Sequence, residues 1–243
     1  MNKYKELIKN EILKMNDNEE RVLNLNDTSP NKKSNVPDKV DKAVKSFISK
    51  ASSFIWVNST SKRGKRNLEA LKHDTNLETL SAFDKDSKKI YEKGASFTYK
   101  EGGILGAIGV GIPDIPLFLA VLLRGMHSIS AIYGFDYKSD YEKHYILKLL
   151  LASLSSGENR KKYFEELDTF EVGDDNYSEL AHLIAAELIV QKLVQGIFII
   201  GAVAAITNKR TYIKVMKCTR YKYRQRFLNK LNEEFYDMTS FKE

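Results

Sequence analysis

Four histidines, His73, His127, His144 and His182, stand singly along the 243-residue chain, with neither HExxH nor H-x-H spacing, and Cys218 is the single cysteine. A zinc or iron centre needs several converging His, Cys or carboxylate ligands, so this pattern predicts no metal and no cofactor. One cysteine also excludes a disulfide framework and suits a reducing, cytoplasmic compartment. No G-x-S-x-G elbow is present, and SLSSGE lacks the strand a serine nucleophile would need. The glycine run GGILGAIGVG is followed by no lysine of the phosphate-loop type, and Gly109 and Gly111 lack a preceding strand. The remaining route to catalysis is a hydrolase that sets Asp114 with Arg124, or Asp136 with Glu142, in an apolar cleft.

These residues must be positioned by helices, because no period-two alternation of Val, Ile and Thr persists anywhere. The expected fold is all-α, a multi-helix bundle. Tyr4, Leu7, Ile8, Ile12, Leu13 and Met15 recur at spacings of three and four and mark a short amphipathic helix, charged enough not to read as a secretory signal. Residues 16–36 are rich in Asn, Asp, Ser and Lys, so residues 1–36 read as an appended helix and flexible connector. A helical domain is expected over 37–230, and an acidic tail over 231–243. Val40, Val44, Phe47, Ile48, Ala51 and Ile55 form its first stripe. Two short helices are expected over 65–94, broken at residues 74–76. Gly134 is placed to cap the helix before it, and Ser139 stands three before Glu142 as a capping box.

Residues 102–123 hold one acid, Asp114, and one cation is added only at Arg124, so the run is long enough to span a bilayer. Pro113, Asp114 and Pro116 divide it, however, which predicts two pieces. Its glycines, Gly103, Gly106 and Gly109, permit either close helix packing or an apolar segment that dips into lipid. A second apolar stretch covers 180–206 and is clean only from 193, too short to span. An inserted protein using both stretches is the third possibility after a peripheral binder and a hydrolase. The expected centre is the helix over 113–133 packed on 180–206.

The net charge of +7 is local: residues 207–230 contain nine Lys or Arg and no acid, so the rest of the chain sums to −2. On a helix, Arg210, Lys214, Lys217, Arg220 and Arg224 share one side, with Tyr212, Val215, Met216, Tyr223 and Phe227 on the other. Lys222 and Arg226 break that pattern. Lys209, Arg210, Lys214, Lys217, Arg220 and Arg224 are therefore the candidate contacts for an anionic membrane surface. Nucleic acid is disfavoured by the absence of helix-turn-helix punctuation.

Two blocks resemble the EcsC family. GGILGAIGVGIPDIPLFLAVLLRGMHSISAIYGFDYKSDYEKHYILKLL has that family's glycine-rich run, its D-[IL]-P, an L-R before a small-residue helix, and Y-G-[FY]-D followed by an acid. GIFIIGAVAAITNKRTYIKVMKCTRYKYRQRFL is similar to its carboxyl-terminal pattern, with Ala205 and Thr207 where Gly or small apolar residues are usual. The resemblance covers about residues 40–230. It implies no reaction, because the family takes its name from a protein encoded beside two components of an ABC transporter. Matched residue by residue, it singles out Asp114, Pro116, Arg124, Tyr133, Gly134, Asp136 and Glu142 in the first block, and Asn208, Arg220, Arg226 and Phe227 in the second. A packing role and a binding role are both open to them. The expectation is a non-enzymatic cytoplasmic protein at the inner face of the plasma membrane, attached to anionic lipid or to a membrane protein complex.

Overall fold

Helix-forming spacing continues through nearly every described segment of the chain, and the computed structural model is accordingly all-α. It describes residues 2–23, 36–58, 76–106, 114–136, 139–170, 176–194 and 202–240. Eight helices lie in these segments: α1 (Asn2–Leu23), α2 (Asp38–Asn58), α3 (Leu77–Gly106), α4 (Asp114–Ile132), α5 (Asp140–Leu154), α6 (Gly157–Asp168), α7 (Tyr177–Val194) and α8 (Ala202–Ser240). No described helix is long and apolar enough to cross a membrane. The run over 102–123 is divided as expected, since α3 ends at Gly106 and α4 opens at Asp114.

The centre of the bundle differs from the expected helix pair. At 39 residues α8 is about 58 Å long, and α1, α3, α4 and α5 all pack along it. Helix α7 packs mainly against α2 and α5, and the stretch 180–206 belongs partly to α7 and partly to the start of α8. The spacing of α4 sets Arg124, His127, Ser128 and Ser130 opposite Leu122, Met126, Ile129 and Tyr133 and so predicts an amphipathic second half. Instead His127, Ser128 and Ser130 are buried beside Met126 and Ile129, and Arg124 is exposed. The close approach of α4 to α8 depends on Gly125, where an added Cβ would lie 2.6 Å from the Met216 sulfur and 3.0 Å from the Tyr212 hydroxyl.

The amino-terminal helix runs further than its spacing suggested, to Leu23, and is part of the bundle. Ile8 and Met15 are buried against α8, and the Arg160 guanidinium donates to the Leu23 carbonyl at 2.7 Å, closing the last turn of α1. The expected helices over 65–94 are one helix from Leu77 onward, with Asn76 accepting from the Thr79 amide at 2.9 Å; residues 59–75 lie outside the described segments.

Two sequence signals appear in the local geometry, one whole and one by half. Gly134 takes a positive φ of 82°, and the amides of Phe135 and Gly134 donate to Ser130 and Ala131, the two bonds of a Schellman cap. Ser139 accepts from the Glu142 amide at 3.2 Å. The reciprocal half of the capping box is absent, because the Glu142 side chain is used elsewhere.

His127 is wholly buried, and burial pushes it down to about 3. The unfolded chain takes up this proton near pH 6.5, so the folded state loses stability as pH falls from 6.5 toward 3, by about 1.4 kcal/mol per pH unit. Urea denaturation from pH 7 to 4 is expected to show a shallower acid slope in His127→Leu, by about one proton. An unchanged slope would show that His127 does not titrate as its burial requires.

Candidate anion-binding face and the ion pairs behind it

The cations of α8 divide by what they face. Arg226 points into the bundle, where Nη1 and Nη2 donate to the two oxygens of Glu142 at 2.9 and 3.0 Å. Its guanidinium lies 4.0 Å from the ring centroids of both Phe135 and Tyr145. The Ser130 and Tyr223 hydroxyls also donate to Glu142 Oε1, so a carboxylate 3% exposed accepts four hydrogen bonds. Burial alone would favour loss of the Arg226 proton, but the facing carboxylate outweighs it and holds Arg226 above its usual range. Burial and the same carboxylate push the Tyr223 phenol well up. Arg226 stays charged and Tyr223 stays neutral.

One turn earlier, Lys222 is fully buried, donating to Asp168 at 2.7 Å with its ammonium 5.3 Å from the Phe164 ring centroid. Near the start of α8, the Lys214 ammonium donates to the Leu154 and Ser155 carbonyls at 3.3 and 3.1 Å. With Arg160 donating to Ser155 at 2.8 Å, it places positive charge at the carboxyl end of α5, where the helix dipole is negative. The sequence put Lys214 on the solvent side; its ammonium instead reaches these carbonyls.

Arg220 and Arg224 bind α3. Arg220 donates to the Ser87 hydroxyl at 2.9 Å and to the Asp84 carbonyl at 3.1 Å. Arg224 joins Asp84 (2.9 Å) to Glu11 of α1 (2.5 Å), and Tyr133 donates to the other Asp84 oxygen at 2.6 Å. Lys14 completes the chain on Glu11 at 2.7 Å. Lys209, Arg210 and Lys217 are exposed.

Over this network lies a groove of about 450 Å³ between α1 and α8. Lys14, Arg21, Lys217, Arg220 and Arg224 supply five positive charges there, against the two carboxylates Glu11 and Asp84. A second groove, of about 510 Å³, shares Glu11, Asp84 and Arg224 and continues along Leu7, Leu77 and Leu80.

The resemblance-matched residues fall into place unevenly. Tyr133 and Glu142 of the first block meet Arg220, Arg226 and Phe227 of the second, with Phe227 packed 6.4 Å from the Tyr133 ring and 5.5 Å from Phe83, while Gly134 caps α4. Arg124 and Asp136 are exposed. Asp114 opens α4 with Pro116 in its first turn, and Asn208 lies in α8; their side chains are outside the described residues. Glu142, expected to pair with Asp136 in a hydrolase, is held by Arg226. Sequence reasoning missed Glu11, Asp84 and Asp168 as counter-ions. The available signal was the one left as a break in pattern: Lys222 and Arg226, four apart, stand on the aromatic side of α8.

Fold and site define an all-α protein whose longest helix is cationic and uses most of its charges internally. The chain belongs to the EcsC protein family, whose pattern matches residues 3–228. That match begins within α1, earlier than the two blocks suggested. The chain is also similar to Protein EcsC of Bacillus subtilis (strain 168), 31% identical over 107 residues, which are 43% of this chain and 45% of that protein. This chain thus spans less than half the length of that relative in the match. No solved structure matches it.

Removing one member of a buried pair leaves the other charge unpaired, at a cost of about 3–5 kcal/mol. Arg226→Met is expected to lose that much stability in urea denaturation. Adding Glu142→Gln should make the double variant about 1–3 kcal/mol more stable than the sum of the single losses. Strict additivity would mean that the two groups do not interact.

Proposed function

We propose that this protein is a non-enzymatic, peripheral component that attaches reversibly to an anionic membrane surface through the face formed by α1 and α8. The observation that carries this reading is the surplus of cations in the groove between these helices, with Lys217 and Arg21 exposed at it. Arg210 lies seven residues before Lys217, hence on the same side of α8 about 10 Å further along. Leu7 and Leu13, 46% and 51% exposed, give α1 apolar residues at the surface, with Lys3, Lys9 and Lys14 also exposed on that helix.

Each cation near an anionic leaflet contributes about 1 kcal/mol. A few such charges with two leucines support weak, salt-sensitive attachment rather than permanent anchoring. The cytoplasmic leaflet, rich in anionic lipid, is the matching surface. A membrane protein complex with an acidic face is the other partner these cations suit. The hydrolase reading finds less support, since Glu142 is occupied by Arg226, Tyr223 and Ser130.

Co-sedimentation with vesicles tests the proposal. The full chain is expected to pellet with phosphatidylglycerol-containing vesicles and not with phosphatidylcholine alone, to be released by added salt, and to bind at least about tenfold more weakly as Arg210→Glu/Lys217→Glu. Lys214 is left intact, since its reversal would uncap α5. Equal pelleting with neutral vesicles, or indifference to the charge reversal, would overturn the reading.

A further inference from the structure

Lys217 and Arg220 of α8 meet Lys14 and Arg21 of α1 at the cationic groove. Lys14, Arg21 and Lys217 are exposed there. Arg and Lys side chains converging from two helices are the donors of a phosphate site, through charge-assisted bonds to its oxygens.

The neighbouring groove has different chemistry. Leu7, Leu77 and Leu80 line it with Glu78 and Ser81, and its boundary with the cationic groove is the Glu11–Arg224–Asp84 bridge common to both. The charges of that bridge are already matched, with Arg224 between the two carboxylates and Lys14 on Glu11. A ligand crossing it meets no unbalanced charge. Each groove lies within the roughly 300–1,000 Å³ typical of small-molecule sites, and their order along the α1 seam is cationic, then bridged, then apolar.

We infer that the two grooves form one site for a single anionic amphiphile, its phosphate head bound by Arg21, Lys217 and Arg220 and its alkyl chain lying along Leu7, Leu77 and Leu80. The inference rests on the membrane-facing role given to this face and makes it a stoichiometric lipid site instead of a diffuse charged surface. Arg210, on the same side of α8 but not among the groove residues, belongs to the diffuse surface alone.

Calorimetric titration of the full chain with dihexanoyl phosphatidic acid below its micellar concentration tests this directly, with inorganic phosphate and dihexanoyl phosphatidylcholine as comparison probes. The expected result is saturable one-to-one binding of the phosphatidic acid, with both comparison probes at least about tenfold weaker. Lys217→Glu and Arg21→Glu should weaken binding about tenfold or more, and Arg210→Glu less than about twofold. Equal affinity for inorganic phosphate would overturn the amphiphile assignment, and equal losses in the Lys217 and Arg210 variants would overturn the discrete site. Vesicle binding without saturable short-chain binding overturns this inference and leaves the peripheral reading standing. Saturable short-chain binding without vesicle pelleting supports the site and overturns the peripheral reading.

Discussion

A carboxylate 3% exposed to water can remain charged only if something replaces its hydration, and at Glu142 that replacement is Arg226 with Tyr223 and Ser130. The partners come from α4 and from α8, the latter 81 and 84 residues away in sequence. Apolar packing alone tolerates sliding of one helix along another, whereas a two-pronged guanidinium held between Phe135 and Tyr145 tolerates little. The turn before α5 serves the same point, because Gly134 at positive φ lets the chain reverse and sets Phe135 against Arg226. The pair therefore fixes the register of α8 against α5, and with it the positions of Lys222, Arg220 and Arg224.

That constraint redistributes the charge of the molecule. Nine cations in a 24-residue stretch suggest a surface rod, yet Lys214, Arg220, Lys222, Arg224 and Arg226 each donate to a carbonyl, hydroxyl or carboxylate of another helix. Acids elsewhere in the chain, Glu11, Asp84, Glu142 and Asp168, are the counter-ions, which is why the remainder of the sequence is slightly negative. What is left toward solvent is a short arc of cations ending in the groove beside α1. The amino-terminal helix thereby acquires a definite place: Glu11 answers Arg224, Arg160 closes its carboxyl end, and its outer side carries both leucines and lysines to the surface.

Helical class, the division of the apolar run at Asp114, the Gly134 cap and the Ser139 cap were legible because each depends on a few neighbouring residues. Helix α8 was legible as a helix but misjudged in orientation, since a wheel sorts residues by polarity and cannot show which cations have partners 84 to 213 residues away. The burial of His127, Ser128 and Ser130 was missed for the same reason: α4 is enclosed by α2, α3, α5 and α8, a property of packing absent from its own spacing. The resemblance-matched residues proved informative about architecture, since Tyr133, Glu142, Arg226 and Phe227 are joined across the bundle. The groove drew only partly on them. Lys14 and Arg21 had no motif to announce them, and they became visible only when α1 was seen lying along α8.

If the Arg226–Glu142 pair fixes α8 in the bundle, the two helices it joins must open together. Native-state amide hydrogen exchange resolves this, since it reports an opening free energy for each segment. The amides over 143–150 and 221–228 are expected to exchange with the same free energy, close to that of global unfolding, and to respond alike to denaturant. Exchange of the α8 amides through a separate opening several kcal/mol lower, with α5 still protected, would contradict it.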